Sequence, residues 1–135
     1  MATSTYLSNP IVTVNSVDLS DQCKGANISY QFDQLEATAF GDTARKYVAG
    51  LQTNSVTLDL YWSTAATETY ATLKSLVGTT TTITIKGSSG ATSATNPLAT
   101  FTATFLAELP VVYTMGDLAT CSVTWNGGTF AFTEA

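Results

Sequence analysis

Residues 26–33 read ANISYQFD, and residues 55–62 read SVTLDLYW. In the first, Ala26, Ile28, Tyr30 and Phe32 alternate with Asn27, Ser29, Gln31 and Asp33. In the second, Val56, Leu58, Leu60 and Trp62 alternate with Thr57, Asp59 and Tyr61. Successive side chains of an extended chain point to opposite faces, so each segment predicts a strand with one buried and one polar face. On that reading Tyr30, Phe32, Trp62 and Trp125 belong to the core. Tyr61 falls on the polar side beside Asp59.

Working outward, the same period recurs at Thr81, Ile83 and Ile85, at Phe101, Ala103, Phe105 and Ala107, and at Ala119, Cys121, Val123 and Trp125. Phe130 and Phe132 mark a last strand. Ile11 to Val17 predicts a short first one, with turn chemistry from Asn15 to Asp21. Asn126-Gly127 is a two-residue hairpin signal. Leu109 to Thr114 passes Pro110 and predicts an edge or a bend. Gly87 to Asn96 (GSSGATSATN) reads as a mobile surface loop. A helix is predicted once, from an N-cap at Ser63 or Thr64 through Ala66, Tyr70, Leu73 and Val77 to a stop at Gly78. Glu68 and Lys74 sit at the ends that suit the helix dipole. The pattern is all-β with one helix, in a single 1–135 domain whose first ten residues form an arm.

Between the two quoted segments lies residues 34–54, too long for a hairpin turn and therefore a long inter-strand loop. It holds Phe40-Gly41-Asp42-Thr43-Ala44-Arg45-Lys46-Tyr47-Val48-Ala49-Gly50-Leu51, with the adjacent basic pair Arg45-Lys46 and four large apolar residues that cannot all pack in one core. It reads either as an excursion folded back over its own sheets or as a protruding arm that docks on a neighbour.

Composition narrows the function. The chain has 135 residues, 26 of them Thr, and charged residues make up only 11%. An ordinary soluble domain carries about 25%. Sparse charge and few prolines leave strand edges weakly protected, which fits a surface covered by other subunits. A Thr/Ser-rich module kept soluble by its hydroxyls fits as well. No His is present, which removes the Ser-His-Asp and Cys-His arrangements and His metal sites. Cys23 and Cys121 lie in no C-x-x-C motif, and free buried thiols are the expectation over a disulfide. A net charge of −5 with five basic residues disfavours phosphate binding. No apolar run approaches a membrane span, and Met1-Ala2-Thr3-Ser4-Thr5 lacks the basic and apolar regions of a signal peptide. Asp33 and Asp59 occupy the polar faces of strands that could be adjacent, but no carboxylate pair, phosphate loop or EF-hand spacing stands out. No catalytic, cofactor or metal site is expected.

The segment Glu36 to Leu51 running into Ser55-Val56-Thr57-Leu58-Asp59-Leu60 resembles the tail tube proteins of long-tailed bacteriophages. Val12 to Ser20 and the Met115-Gly116-Asp117 turn fit the same order. The resemblance implies an antiparallel β-sandwich flanked by a single α-helix, with the long loop between the second and third strands. It implies six copies per ring, rings stacked into a hollow tube in the virion tail, and other tail proteins at the tube ends, all made in the bacterial host cytoplasm. The loop would reach a neighbouring subunit through Phe40, Asp42, Arg45, Lys46, Tyr47 and Leu51. Gln31, Asp33, Thr57 and Asp59 would face the channel. Six copies at −5 each carry −30 per ring, a charge that would let DNA pass without specific binding. Two alternatives remain at this point. One is a capsid decoration or head–tail joining protein of similar fold. The other is a carbohydrate-binding or adhesive β-sandwich, with Tyr61 or the 87–96 loop at its site.

Overall fold

A computed structural model describes residues 10–134; all but Pro10 of the expected arm over residues 1–10 lies outside them. Eight strands and one short helix follow one another as β1 (Ile11–Val14), β2 (Val17–Asp18), β3 (Cys23–Glu36), β4 (Tyr47–Tyr61), α1 (Thr69–Leu73), β5 (Thr80–Lys86), β6 (Leu98–Leu106), β7 (Thr120–Asn126) and β8 (Thr129–Thr133). All strand pairs are antiparallel, in the order β2-β1-β5-β6-β7-β4-β3, with β8 alongside β6. The sheet curls until its inner faces enclose one core. Val56, Leu58 and Leu60 of β4, Cys121, Val123 and Trp125 of β7, Phe101 and Leu106 of β6, Ile83 of β5 and Val14 of β1 all belong to it. The alternation read from the sequence is what fills this core, because period two sends every second residue inward.

The sheet remains open. β3 ends one side of the strand order and β2 the other. Between the start of β3 and strands β1 and β5 a cleft of about 400 Å³ is left, lined by Val12, Ala26, Ile28 and Ile85 and flanked by Lys24 and Lys86.

Three local expectations turn out differently. Asn126-Gly127 makes no hairpin. Leu106 faces Trp125, Phe105 faces Asn126, Thr102 faces Thr129 and Leu98 faces Thr133, so β7 and β8 keep one unbroken register along β6. They are a single strand bent at Gly127 and Gly128, both at positive φ (+81° and +75°). Its first half pairs with β4 and its second half with β6, which is how a strand passes from one layer of a sandwich to the other. In β6 the alternation breaks at Ala103, which has φ +59° and lies at a register shift against β5. The inward set therefore changes from Phe101 to Thr104 and Leu106, and Phe105 is exposed.

The helix is shorter than its apolar spacing predicts. Thr67 has a positive φ of +62°, which α-helical backbone does not tolerate, so no helix runs through 63–67. The N-cap is Glu68, without a side-chain cap. Beyond Leu73 the chain continues in turns bonded Leu76 N–H to Leu73 O (3.1 Å) and Thr79 N–H to Leu76 O (3.0 Å), ending at Gly78 with φ +83°. Leu73 and Leu76 still reach the core.

Both cysteines are free. Cys23 and Cys121 flank Leu60 from opposite sides, each one strand away. Two strand spacings, roughly 9–10 Å, exceed what a disulfide can bridge. Burial pushes the Cys121 thiol up to about 11 and also raises that of Cys23. The 87–96 segment is tied down by Asn96, whose side-chain amide donates toward the carbonyls of Gly90 (3.1 Å) and Ala91 (3.2 Å).

A Cβ on Gly128 would stand 2.2 Å from the carbonyl oxygen of Thr102 and 2.8 Å from that of Ala103, on backbone that cannot yield cheaply. Gly128→Ala is expected to cost about 2–3 kcal/mol, from the overpacked corner and the left-handed backbone together. Chemical denaturation checks this: the midpoint should fall well below that of the unmodified chain.

Candidate assembly surfaces

β3 and β4 are 14 and 15 residues long and pair with each other from Cys23–Leu60 to Glu36–Tyr47. The long connection expected over 34–54 is present but narrower, since only residues 37–46 lie outside the strands. A register shift after Phe32 puts one extra β4 residue opposite Asp33. The crowding there excludes a side chain at Gly50, whose Cβ would lie 2.9 Å from that of Asp33.

The tip is built by short-range bonds. Asp42 N–H donates to Ala39 O (3.1 Å), and Gly41 takes φ +91° at the third position, the pattern of a type II turn. Ala39 N–H donates to the Asp42 carboxylate (2.7 Å), and Lys46 N–H to the Thr38 hydroxyl (2.9 Å). Arg45 pairs with Glu36 at 2.9 Å and Lys46 with Asp42 at 3.0 Å. Arg45 thus ties the hairpin's two legs together, and Lys46 ties the turn to the start of the returning strand. The Ala39 amide, and after it Lys46, hold the Asp42 carboxyl below its usual range.

This well-tied hairpin carries apolar side chains with little or nothing over them. Phe40, at the turn's corner, is 109% exposed and Leu51 80%. Tyr47, Val48 and Leu35 are about half exposed. Tyr30 and Phe32, expected in the core, are exposed to 45% and 49%. The reason is position as well as length: β3 ends the strand order, so Ala26 and Ile28, also expected inside, are exposed along the open cleft, and farther out no strand lies over Tyr30 and Phe32. Tyr30 meets Phe130 at 4.6 Å between ring centroids, and Phe130 meets Phe101 and Phe132. The aromatic row runs from the core at Phe101 out to an uncovered shelf of Tyr30, Phe32 and the exposed Phe132. Alternation alone could not locate that boundary. Trp125 is fully buried, and Trp62 packs partly buried at the core's margin.

The opposite face of β3, β4 and β7 is polar. Thr57 pairs with Asn27 and Thr124, and the two threonine hydroxyls lie 3.0 Å apart. Asp59 accepts a 2.8 Å hydrogen bond from Ser122. Gln31 shares this face, and Asp33 sits at the bulge. Lys24 lies over the Tyr61 ring at its other end, 5.3 Å from the centroid. Hydroxyls and amides outnumber charges here. The structure therefore brings Gln31, Thr57 and Asp59 onto one face and gathers Phe40, Asp42, Arg45, Lys46, Tyr47 and Leu51 on one hairpin end.

The sequence reading did not single out a second apolar protrusion. Between β6 and β7, Val112 pairs with Thr120 through two backbone bonds (2.8 and 3.2 Å). Beyond this bridge Tyr113, Met115 and Leu118 stand exposed. The clue was present in the unalternating run of apolar residues around Pro110. Among the described residues, no three His, Cys, Asp or Glu side chains are placed to hold a metal ion, and no helix is long and apolar enough to cross a membrane.

Solved structures share this architecture. A chain of the PVC sheath–tube complex, an extracellular contractile injection system in the extended state, superimposes with TM-score 0.73 at 14% identity, over 100% of this chain and 95% of that one. The SPP1 tail tube matches with TM-score 0.72 at 6% identity, over 94% and 76%. A chain from the tail of an empty gene transfer agent particle, refined helically with C6 symmetry, matches with TM-score 0.63 at 13% identity, over 83% and 82%. The chain has the tail tube fold. No protein-family model matches the sequence, and no curated protein is detectably similar to it. At these identities the tail tube fold is preserved by pattern and topology rather than by particular residues.

The Asp42 turn can be read directly by its titration. Because the folded pKa is lowered, the turn's support from this carboxylate is complete above the ordinary value of 3.8 and is lost as the pH falls through the lower folded value. In NMR spectra the Ala39 amide proton should shift with a midpoint below 3.8. An Asp42→Asn chain should show no such transition.

Proposed function

We propose that this chain is a non-enzymatic structural protein of a virion tail, polymerising as stacked hexameric rings into the tail tube. The observation that carries this reading is the β3–β4 hairpin: rigidly bonded, far longer than its cover, and apolar where it is bare. A free monomer gains nothing from such an element, whereas a subunit docked on copies of itself buries it. The tail tube fold and the six-fold symmetry of one structural neighbour, the gene transfer agent tail, support the stoichiometry.

In this proposal Phe40, Tyr47 and Leu51 supply the apolar contacts of the hairpin, while Asp42, Arg45 and Lys46 shape it and face the neighbour. Gln31, Asp33, Thr57 and Asp59 belong to the channel wall, which DNA passes without specific binding. The wall is net acidic, though only weakly, and its hydroxyls and amides present no array of positive charge to phosphate. Ring closure pairs or covers the free edges of β3 and β2, which explains why so few charges guard them. Other tail proteins cap the tube ends. The chain is made in the bacterial host cytoplasm.

Negative-stain microscopy of the concentrated purified protein tests the proposal, and helical tubes are the expected result. A small closed oligomer would point instead to a decoration or joining protein, and a monodisperse monomer would remove both. Arg45→Glu combined with Lys46→Glu sets like charges against Glu36 and Asp42 at the hairpin's tip. Tubes should disappear while the subunit stays folded, since exposed ion pairs contribute about 1 kcal/mol or less each. Tubes of normal yield from this variant would refute the hairpin's role.

A further inference from the structure

The two ends of the long strands are built alike. At one end, residues 39–42 form a turn closed by Asp42 N–H to Ala39 O (3.1 Å), with Gly41 at φ +91° and Phe40 at the corner. At the other, residues 114–117 form a turn closed by Asp117 N–H to Thr114 O (3.1 Å), with Gly116 at φ +90° and Met115 at the corner. In both, glycine at the third position permits the positive φ of a type II turn, and the second residue is thrust outward. The corner residues are Phe40 at 109% and Met115 at 101% exposure, both unusual for large apolar side chains.

The second turn is a fixed platform. The Val112–Thr120 bridge anchors it beside Tyr61, the end of β4 opposite the hairpin tip. Leu109 and Val111 pack against the core just before it. Tyr113 and Leu118 flank Met115, both well exposed. Residues 107–119 hold the acids Glu108 and Asp117 and no basic residue. The hairpin offers Arg45, whose side chain is 71% exposed in its pair with Glu36. Such a pair exchanges partners at little cost.

We infer that the 112–118 turn is the acceptor for the hairpin tip of a second copy of this chain, so that subunits join head to tail along the tube. The inference rests on the tube reading above and names the surface that reading leaves open. The two apolar ends lie on different surfaces at opposite ends of the same strands. A contact between them is heterologous and repeats without limit along an axis, which an isologous contact cannot do. The Phe40 ring seats against Met115, Tyr113 and Leu118, and Arg45 turns toward Asp117.

Cross-linking tests this. Phe40→Cys and Met115→Cys are made in separate chains, each also carrying Cys23→Ser, then mixed under tube-forming conditions and oxidised. The disulfide-linked dimer should exceed that of either chain alone by at least tenfold. Met115→Asp with Leu118→Asp, both at exposed positions, should melt at the unmodified temperature yet form no tubes. Tubes that lack the 40–115 cross-link, or that form at full yield from the double variant, would overturn the docking and leave the tube reading standing. Unmodified protein that stays monomeric with no cross-link would overturn both.

Discussion

Strands of 14 and 15 residues cannot be covered by strands of 4, 7, 9 and 5 residues. That mismatch in length governs the molecule. Where β4 lies opposite the shorter strands, its inward residues Val56, Leu58 and Leu60 are fully buried and form the core, whereas β3, at the edge of the strand order, contributes no fully buried side chain. Past that point the same alternation continues, and the inward residues emerge as an aromatic shelf. Backbone pairing between the two strands persists to Glu36–Tyr47 regardless, because each supplies the other's hydrogen-bond partners. The hairpin therefore stays ordered while its side chains remain unpacked. Apolar surface held rigidly in the open favours association, since little conformational entropy is left to lose on docking.

The second constraint is the passage between layers. A strand that serves two sheets must bend sharply without losing its register, and β7–β8 does so at Gly127 and Gly128. The partner strand answers with Ala103 at positive φ, so both chains of the pair are distorted at the same corner. The carbonyls of Thr102 and Ala103 come so close to Gly128 that only the absence of a side chain admits them. The core on either side depends on this corner. It places Phe130 under Tyr30 and Phe101, and it lets Trp125 face Val56.

Much of this was legible in the sequence because period-two alternation is a direct record of burial. Ala26 to Phe32, Val56 to Leu60 and Cys121 to Trp125 announced their strands and most of their facing. Alternation says which residues share a side, but not how far the covering layer extends, so Tyr30 and Phe32 read as core. Asn126-Gly127 has the composition of a hairpin, and only the pairing of β8 with β6 makes it a bend. The apolar spacing around Tyr70 and Leu73 was genuine, yet Thr67 takes a backbone conformation that local propensity does not encode. The hairpin residues were legible as unburiable apolar side chains. The Met115-Gly116-Asp117 turn was legible as a turn, but the exposure of Tyr113, Met115 and Leu118 around it was not, because irregular structure leaves no period to read.

The charge distribution adjusts the electrostatic argument. Composition assigns −5 to each chain, but the polar face of β3, β4 and β7 holds little of it. Asp33 and Asp59 lie there, the latter engaged with Ser122, and Lys24 offsets them at the Tyr61 end. Most remaining carboxylates sit on loops and turns, among them Asp21, Asp42, Glu68, Glu108 and Asp117. A channel wall built from this face would owe its low adhesion less to repulsion than to the lack of fixed cations. Counterion release requires a Lys or Arg at each phosphate, and hydroxyls offer only contacts that water replaces at nearly equal strength. Such a surface is indifferent to what slides along it.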